Sequence, residues 1–384
     1  MPDRVLRERA ERVTCGASQT NSRRHGKVGP VTYPSFAVSG SGAYLRFADD
    51  TLAIDLAGAN GAVALGYQPH SVTGAIYTQF MNGWTLSLPS VLEVEVSERM
   101  VNMVNTPVCV RWVRTGSEAV SAAVAIAREA TGRDKIAVFE DSYHGWHPWT
   151  RQTTCLSVNF DDLSLDALIQ ALTARSTFAA LLIESPRWHD VDAAYIERLK
   201  HLRAACTKAG TLLVFDDVVY AFRFASGGLQ QTTEVVPDLA CFSKALGNGL
   251  PVGCVTGPPD LMRRTSLRVS STFGGEALGL AAANAVLELH AERDICGELR
   301  EIGIDLRTRL DAALAGTPII VQGTPQHFRF SSFPEELDRF LSYCIGDAEE
   351  RVLIHRDANN VNLAMTVDIR EKLVATIRRA ARRC

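Results

Sequence analysis

The sequence predicts an α/β protein whose large domain has a mostly parallel central sheet with helices on both faces. Three runs are apolar throughout, at 136–139, 179–183 and 212–215. Continuously apolar strands are typical of sheets covered on both faces, because neither side of the strand meets water. Helical patterns at 165–174 and 193–209 separate these runs. Strands that alternate with helices pair in parallel, and active residues then lie at the carboxyl ends of the strands.

The remaining elements follow in chain order. Ser117 can cap a helix that ends at Thr131-Gly132, and a long helix is predicted at about 276–293. The composition then becomes less apolar, and strands at 318–321, 328–331 and 352–355 interleave with helices at 334–345 and 367–382. We therefore expect a segment at 1–58 that packs with a small domain or a partner subunit, a large domain at 59–294 and a small α+β domain at 295–384.

Composition argues against several classes of protein. The 384 residues are 46% hydrophobic and 22% charged, with a net charge of −3 and no long basic run. Proteins that bind nucleic acid or a membrane surface carry clustered Lys and Arg, so we expect neither partner. No apolar stretch approaches the roughly 20 residues of a membrane span, and the charged start lacks the apolar core of a signal peptide. The nine scattered cysteines contain no C-x-x-C pair, which indicates a cytoplasmic protein with reduced thiols and no metal site.

Three segments place polar residues where an α/β enzyme positions its chemistry. Asp216 follows the strand at 212–215, where a carboxylate is either a counter-ion in a cleft or a helix cap at a surface turn. Lys244 stands between an apolar run and a Gly-rich turn. A desolvated lysine has the lowered pKa that suits imine formation, although most lysines are solvated. The small residues after Thr115 open a helix whose N–H groups can bind an anion, as those of many helix starts can.

These segments belong to five motifs that occur in a recognisable order. The motifs are Gly116–Ala119 (G-S-E-A), Phe139–Gly145 (F-E-D-S-Y-H-G), Phe215–Arg223 (F-D-D-V-V-Y-A-F-R), Pro237–Gly253 (P-D-L-A-C-F-S-K-A-L-G-N-G-L-P-V-G) and Ser271–Gly275 (S-T-F-G-G). Their order and spacing resemble those of class III, fold type I enzymes that depend on pyridoxal 5′-phosphate (PLP). The most similar branch is that of the glutamate-1-semialdehyde aminomutase-like aminotransferases. The resemblance extends over roughly residues 30–295.

The resemblance implies a role for each matching residue. Lys244 would bind PLP as a Schiff base and, once substrate frees it, would move a proton between the substrate carbon and the cofactor. Asp216 would keep the pyridine nitrogen protonated. Tyr143 would stack on the ring and complete the predicted catalytic set, although it could also be a core aromatic. Val218 would lie against the other face of the ring.

The resemblance also implies a phosphate site and a dimer. Gly116 and Ser117, with Glu118 beside them, would bind the cofactor at a helix N-terminus. His144 would orient the loop near the cofactor. Thr272 resembles a residue that reaches the phosphate of the neighbouring subunit, which implies a homodimer; an ordinary loop hydroxyl is the alternative.

Three departures from the family bear on the reaction. The segment after Tyr143 is too short for the long mobile loop of aminomutases, which favours transfer between two substrates over isomerisation. Asp217 stands where the family usually has Glu, and Arg187-Trp188-His189 can shape the substrate site. Neither Arg329 nor Arg356 can be assigned as the partner of a substrate carboxylate.

The sequence therefore predicts a PLP-dependent aminotransferase. Its substrates would be a donor amino acid, glutamate or alanine by family habit, and a small aldehyde or ketone acceptor such as a sugar or a biosynthetic intermediate, used in ping-pong order. An aminomutase and a PLP-dependent racemase or epimerase are the alternative enzymes. The alternative from another class is a degenerate homologue that serves as a scaffold subunit, against which the combination of Lys244, Asp216 and Tyr143 argues.

Overall fold

A computed structural model describes residues 3–30, 33–151, 154–156, 170, 172, 178–263 and 269–384 of the chain. The helices of this part, α1 to α12 in chain order, are Asp3–Val13, Gly58–Gly61, His70–Met81, Val91–Val104, Gly116–Thr131, Ala193–Ala209, Leu229–Thr233, Pro259–Met262, Ala277–Glu292, Ile295–Leu314, Pro334–Ile345 and Val367–Ala381. Short 3-10 turns occur at Cys15–Ala17, Asn21–Arg23, Pro148–Arg151 and Lys244–Gly247. The helix predicted at 165–174 lies outside the described residues.

The strands of the described part are β1 to β14. They are Ala37–Ser41, Tyr44–Phe47, Leu52–Asp55, Cys109–Val113, Lys135–Phe139, Thr154–Leu156, Phe178–Glu184, Leu212–Asp216, Leu239–Phe242, Gly253–Gly257, Ile320–Gly323, His327–Ser331, Val352–Leu353 and Asn359–Asn360. The three apolar runs of the sequence are β5, β7 and β8, which confirms those predictions. None of the described helices is long and apolar enough to cross a membrane.

The chain divides into two compact units, 1–69 with 297–384 and 70–296. The second unit contains a seven-stranded sheet in the order β4-β10-β9-β8-β7-β5-β6. The five strands β5 to β9 pair in parallel, whereas β10 is antiparallel to both of its neighbours, β4 and β9. This mostly parallel sheet confirms the predicted α/β fold class.

Burial explains why these strands form the centre of the second unit. β7 is buried from Phe178 to Ile183, and β9 is buried throughout. Ala123 and Ile126 of α5 pack in one core cluster with Leu182 and Val214. Each fully buried Ile or Leu side chain contributes about 1.5–3 kcal/mol to folding.

Helix α5 begins two residues earlier than the sequence predicts. Its N-cap is Thr115, not Ser117, because the Thr115 hydroxyl accepts a hydrogen bond from the backbone N–H of Glu118. The Glu118 carboxylate in turn accepts from the N–H of Thr115 at 3.1 Å, which completes a capping box. The predicted end is confirmed, since Gly132 caps the helix with a φ of +64°.

The first unit contains two smaller sheets. One has the order β1-β2-β3-β13, and its parallel pair β3 and β13 joins the two ends of the chain. The other has the order β11-β12-β14. Buried side chains of α11 and α12 include Phe340 and Ile377. This unit therefore has the mixed α+β character expected of a small domain, while the boundaries predicted after residues 58 and 294 stay predictions.

Candidate active site

A cavity of about 190 Å³ lies at the carboxyl ends of β7 and β8, beside the start of α5. Its lining residues are Thr115, Gly116, Ser117, Val120, Tyr143, His144, Gly145, Glu184, Asp216, Val218, Val219, Ser243 and Lys244. The structure thus brings together seven of the predicted site residues, which come from four separate motifs. Glu118 and Thr272 are not among the lining residues.

Asp216 is the last residue of β8, and it is only 5% exposed. Its Oδ2 accepts a hydrogen bond from the imidazole Nδ1 of His144 at 2.8 Å, and its Oδ1 accepts from the backbone N–H of Val218 at 3.2 Å. These two donors fix the direction of the carboxylate. The Nε2 of His144 is buried and has no partner within the described part of the chain.

Ser243 follows the last residue of β9, and Lys244 comes next. Its φ of +48° lies in the left-handed region, which side chains other than Gly rarely adopt. Burial lowers the pKa of its amine to about 8, and the neighbouring charge of Arg187 acts in the same direction. The negative charge of Asp216 opposes this shift. The lowered pKa leaves a larger fraction of the amine neutral near neutral pH, which is the nucleophilic form.

The start of α5 provides an anion site in the same cavity. The N–H groups of Gly116 and Ser117 belong to the first turn, whose donors have no intrahelical partners. A Cβ on Gly116 would lie 2.7 Å from Cγ1 of Val218, so the close approach of these segments requires glycine. Gly145 has a φ of +92°, and a Cβ there would meet Ser117 Oγ at 2.6 Å.

Tyr143 and Thr272 have exposed side chains. Tyr143 is 62% exposed at the cavity, and its backbone N–H donates to Glu184 Oε2 at 3.0 Å. Thr272 lies in an exposed turn before α9. The Glu118 carboxylate accepts hydrogen bonds from the backbone N–H groups of Arg114 and Thr115, so its geometry is that of a helix cap.

Asp217 is fully buried beside Asp216. Its Oδ1 accepts from Ser185 Oγ at 2.7 Å and from the backbone N–H of Leu229 at 3.0 Å. Burial nevertheless raises the pKa of this carboxyl to about 7. A Cβ on Gly228 would come within 2.3 Å of Asp217 Oδ2, so the close approach of these two segments requires glycine at position 228.

Glu184 was not among the predicted site residues. Glu184 is the register partner of Asp216 on the neighbouring strand, and its side chain lines the cavity. The available signal was its position at the end of an apolar strand, the same signal that marked Asp216. The two arginines that the sequence left unassigned have other contacts: Arg356 pairs with Asp338, and Arg329 donates to Gln322.

The cavity residues fit PLP. The amine of Lys244 can bind its aldehyde, the buried carboxylate of Asp216 can pair with a ring nitrogen, and the N-terminus of α5 can bind its phosphate. The Nε2 of His144, buried without a partner in the described structure, adds a polar group that a ligand can satisfy.

Known proteins match this chain over most of its length. The aminotransferase class-III family matches residues 27–190 and 163–322. A glutamate-1-semialdehyde 2,1-aminomutase of Opitutus terrae is 30% identical over 379 residues, covering 90% of this chain and 87% of the relative. An aminomutase of the same name from Chloroherpeton thalassium is 31% identical over 326 residues, covering 77% and 74%.

Solved structures agree with this assignment. The PLP internal aldimine form of the Sphingopyxis sp. MTA144 FumI protein matches with a TM-score of 0.88 and 26% identity. The match covers 99% of this chain and 96% of the FumI chain. An omega-transaminase from Sphaerobacter thermophilus shares the fold, with a TM-score of 0.84, 24% identity and coverage of 99% and 97%. The chain therefore belongs to the class III aminotransferase family and is a PLP-dependent enzyme of that class.

Proposed function

We propose that the enzyme is an aminotransferase that takes an amino group from glutamate or alanine and gives it to a small aldehyde or ketone. One observation carries this proposal: the buried amine of Lys244 shares a cavity with the Asp216 carboxylate and the N-terminus of α5. These groups supply an amine for the Schiff base, a counter-ion for the ring nitrogen and a site for the phosphate. The two substrates would use the same cavity in turn, in ping-pong order.

Five of the lining residues have a task in this proposal. Bound PLP supplies a ring that withdraws electrons from the substrate carbon. Asp216, held by His144, would keep a proton on the ring nitrogen, since its negative charge favours the protonated form. Lys244 would carry the proton between the substrate carbon and the cofactor. Its pKa of about 8 suits this role. Tyr143 and Val218 would hold the ring from its two faces.

A direct test follows PLP on the protein. The purified enzyme should absorb visible light, and borohydride should fix the cofactor to Lys244, as mass spectrometry of the peptide would show. Lys244→Ala should abolish this fixation, because Lys244 is the one lysine among the described residues that line the cavity. The exposed Lys208 of α6 serves as the control, and Lys208→Ala should be fixed like the wild type. A wild-type protein that binds no PLP at saturation would contradict the proposal.

The substrates can be identified one half-reaction at a time. A panel of amino donors is added to the PLP form, and loss of its visible absorbance identifies the donor. Acceptors, including sugar aldehydes, amino aldehydes and keto acids, are then added to the resulting amino form. Loss of the donor's optical activity, with the visible absorbance of the PLP form retained and no carbonyl acceptor consumed, would instead indicate a racemase or epimerase.

An aminomutase is the second candidate, because both curated relatives reported above carry that name. An aminomutase keeps both halves of the reaction on one molecule. It would convert glutamate 1-semialdehyde to product without an added donor, whereas an aminotransferase would require one. The short loop that the sequence predicts after Tyr143 argues for transfer, but residues 157–169 lie outside the described structure, and so this argument stays a prediction.

We further propose that the enzyme is a cytoplasmic homodimer. Along the segment from α3 to α4, large apolar side chains are exposed: Tyr77, Phe80, Met81, Trp84, Leu86, Leu88, Val91 and Val94. An exposed apolar surface of this kind is typical of a subunit interface. Thr272 is exposed and does not line the cavity of its own chain, which supports a role for its hydroxyl in the cavity of a second copy.

A further inference from the structure

Asp217 is a buried acid next to the proposed counter-ion of the cofactor. It follows Asp216, the last residue of β8. Its Oδ1 accepts hydrogen bonds from the hydroxyl of Ser185, which follows β7, and from the N–H of Leu229, the first residue of α7. Its Oδ2 is buried without a hydrogen-bond partner in the described part of the chain. The carboxyl group therefore joins the ends of β7 and β8 to α7, although it does not line the cavity itself.

Further contacts fix the backbone around Asp216. The N–H of Ser185 donates to the carbonyl oxygen of Asp216 at 3.1 Å, so Ser185 binds both acids. The N–H of Asp217 donates to the carbonyl oxygen of Cys241 in β9 at 3.0 Å. Asp217 is thus held between the ends of the two strands that flank β8. The position of the Asp216 carboxylate at the cavity depends on this stretch of backbone.

Burial also makes the charge of Asp217 sensitive to pH. Loss of hydration raises the pKa of this carboxyl to about 7, and the negative charge of Asp216 acts in the same direction. The two hydrogen bonds to Oδ1 oppose the shift. Asp217 is therefore neutral below about pH 7 and negatively charged above it. Tyr220 and Cys241 also respond to this charge, but burial raises their pKa values, so both stay neutral in this range.

A negative charge on Asp217 and a positive charge on the ring nitrogen of bound PLP would attract each other. We propose that Asp217 is a positioning residue, which holds Asp216 at the cavity and, when ionised, strengthens the binding of the protonated ring nitrogen. Asp217 touches neither cofactor nor substrate and acts through the position and the electric field of its neighbour. This inference rests on the proposed pairing of Asp216 with PLP and adds a second acid to it.

The test compares two ligands that differ only in the ring nitrogen. One is PLP, and the other is its deaza analogue, in which a C–H group replaces that nitrogen. The dissociation constants of both ligands from the apoenzyme are measured by absorbance titration. Their ratio, analogue over PLP, is the discrimination. The aldehyde that binds Lys244 is the same in both ligands, so the titration of the lysine cancels in this ratio.

Asp217→Asn keeps an oxygen that can accept from Ser185 and Leu229, but it is neutral at every pH. Its discrimination should equal that of the wild type at about pH 5.5, where Asp217 is itself protonated. At about pH 8.5 its discrimination should be about 10-fold lower than that of the wild type, because one nearby charge is missing. Asp216→Asn should instead lose discrimination at both pH values, since the direct partner of the nitrogen is removed.

Asp55 provides a matched control. It is 1% exposed and, like Asp217, accepts from a hydroxyl and from backbone N–H groups, here those of Tyr67, Ala57 and Gly58. It does not line the cavity. Asp55→Asn should therefore keep the wild-type discrimination at both pH values.

Ser185→Ala gives a second test, which does not depend on the folding of Asp217→Asn. The Ser185 hydroxyl favours the charged form of Asp217, so its loss should leave less of Asp217 ionised near neutral pH. At about pH 5.5 this variant should discriminate like the wild type, and at about pH 7.5 about 3-fold less.

The inference is wrong if Asp217→Asn discriminates like the wild type at both pH values. A loss by the same factor at both values would also overturn it, because Asp217 would then have a structural role alone. If Asp217→Asn does not fold, wild-type discrimination in Ser185→Ala at about pH 7.5 has the same consequence. A wild type without discrimination at either pH would contradict the pairing of Asp216, and the inference with it. The proposed function fails separately, if the PLP-loaded wild type transfers an amino group from no donor.

Discussion

At the residue scale, the carboxylate of Asp216 has a direction set by two hydrogen-bond donors, His144 and the backbone of Val218. Asp216→Asn keeps the shape of the side chain and removes its charge. The variant should therefore still bind PLP, while kcat falls at least about 100-fold, the scale on which loss of a preorganised charge affects catalysis. Absorbance titration measures the binding, and steady-state rates measure the turnover.

A control variant shows whether this effect belongs to the site. Asp238 also accepts hydrogen bonds, from Arg203 and from the backbone of Leu213, but it does not line the cavity. Asp238→Asn should change kcat less than about 3-fold, because only structural contacts change. Near-normal turnover in Asp216→Asn would refute the proposed role of Asp216.

The pKa of Lys244 predicts how the apoenzyme takes up PLP. Only the neutral amine attacks the aldehyde, and burial lowers its pKa from 10.5 to about 8. The uptake rate should therefore rise with pH and reach half its maximum near pH 8. Stopped-flow absorbance across about pH 6–10.5, a range that spans the titration of a lysine, measures this profile. A midpoint near the usual pKa of an exposed lysine would contradict the assigned environment.

The charge of Arg187 lowers the pKa of Lys244, so its removal gives a second readout from the same experiment. Arg187→Ala should shift the midpoint of PLP uptake to higher pH. Arg203→Ala should leave the midpoint in place, because Arg203 pairs with Asp238 and does not line the Lys244 cavity. An unchanged midpoint in Arg187→Ala would show that the guanidinium does not act on the amine.

At the element scale, the capping box stabilises the first turn of α5, and this turn also provides the anion site. Thr115→Ala removes the hydroxyl that accepts the N–H of Glu118. The free energy of unfolding should fall by about 1 kcal/mol, the usual cost of losing a cap. Denaturant unfolding of the apoenzyme measures this change. Thr115→Ser, which keeps the hydroxyl, should retain most of the stability, and equal losses in both variants would contradict the capping role.

The same helix shows how far sequence patterns locate an element. Its apolar periodicity predicted the helix, and Gly132 correctly marked its end. The prediction of Ser117 as the cap was wrong, although the three-residue spacing of Thr115 and Glu118 is the signature of a capping box. Both Thr115 and Ser117 have a hydroxyl that can cap a helix. The course of the backbone after β4 determines which of them takes the N-cap position.

At the scale of the whole molecule, the exposed apolar segment from α3 to α4 predicts a dimer. Phe80 stacks on Trp84 with ring centres 5.1 Å apart, and it is 51% exposed. Light scattering should give the mass of two chains for the wild type. Phe80→Glu should shift the mass toward one chain, because a charge in an apolar interface has a high desolvation cost.

Val236 provides a matched control, since it has the same exposed fraction of 51% and lies outside this segment. Val236→Glu should remain dimeric. A wild type with the mass of one chain at micromolar concentration would contradict the dimer, and with it the proposed task of Thr272. Equal dissociation of both variants would show that the effect is not specific to the α3 to α4 segment.

The sequence by itself determined the fold class, the family and the positions of Lys244 and Asp216, because apolar runs and the order of motifs can be read along the chain without knowledge of its contacts. Only the tertiary structure showed that Glu184 lies beside Asp216 and that the charge of Arg187 acts on Lys244. The register between β7 and β8 depends on packing across the whole sheet, which periodicity within a strand does not encode. The pKa of Lys244 likewise depends on burial and neighbouring charges, which exist only after the chain has folded.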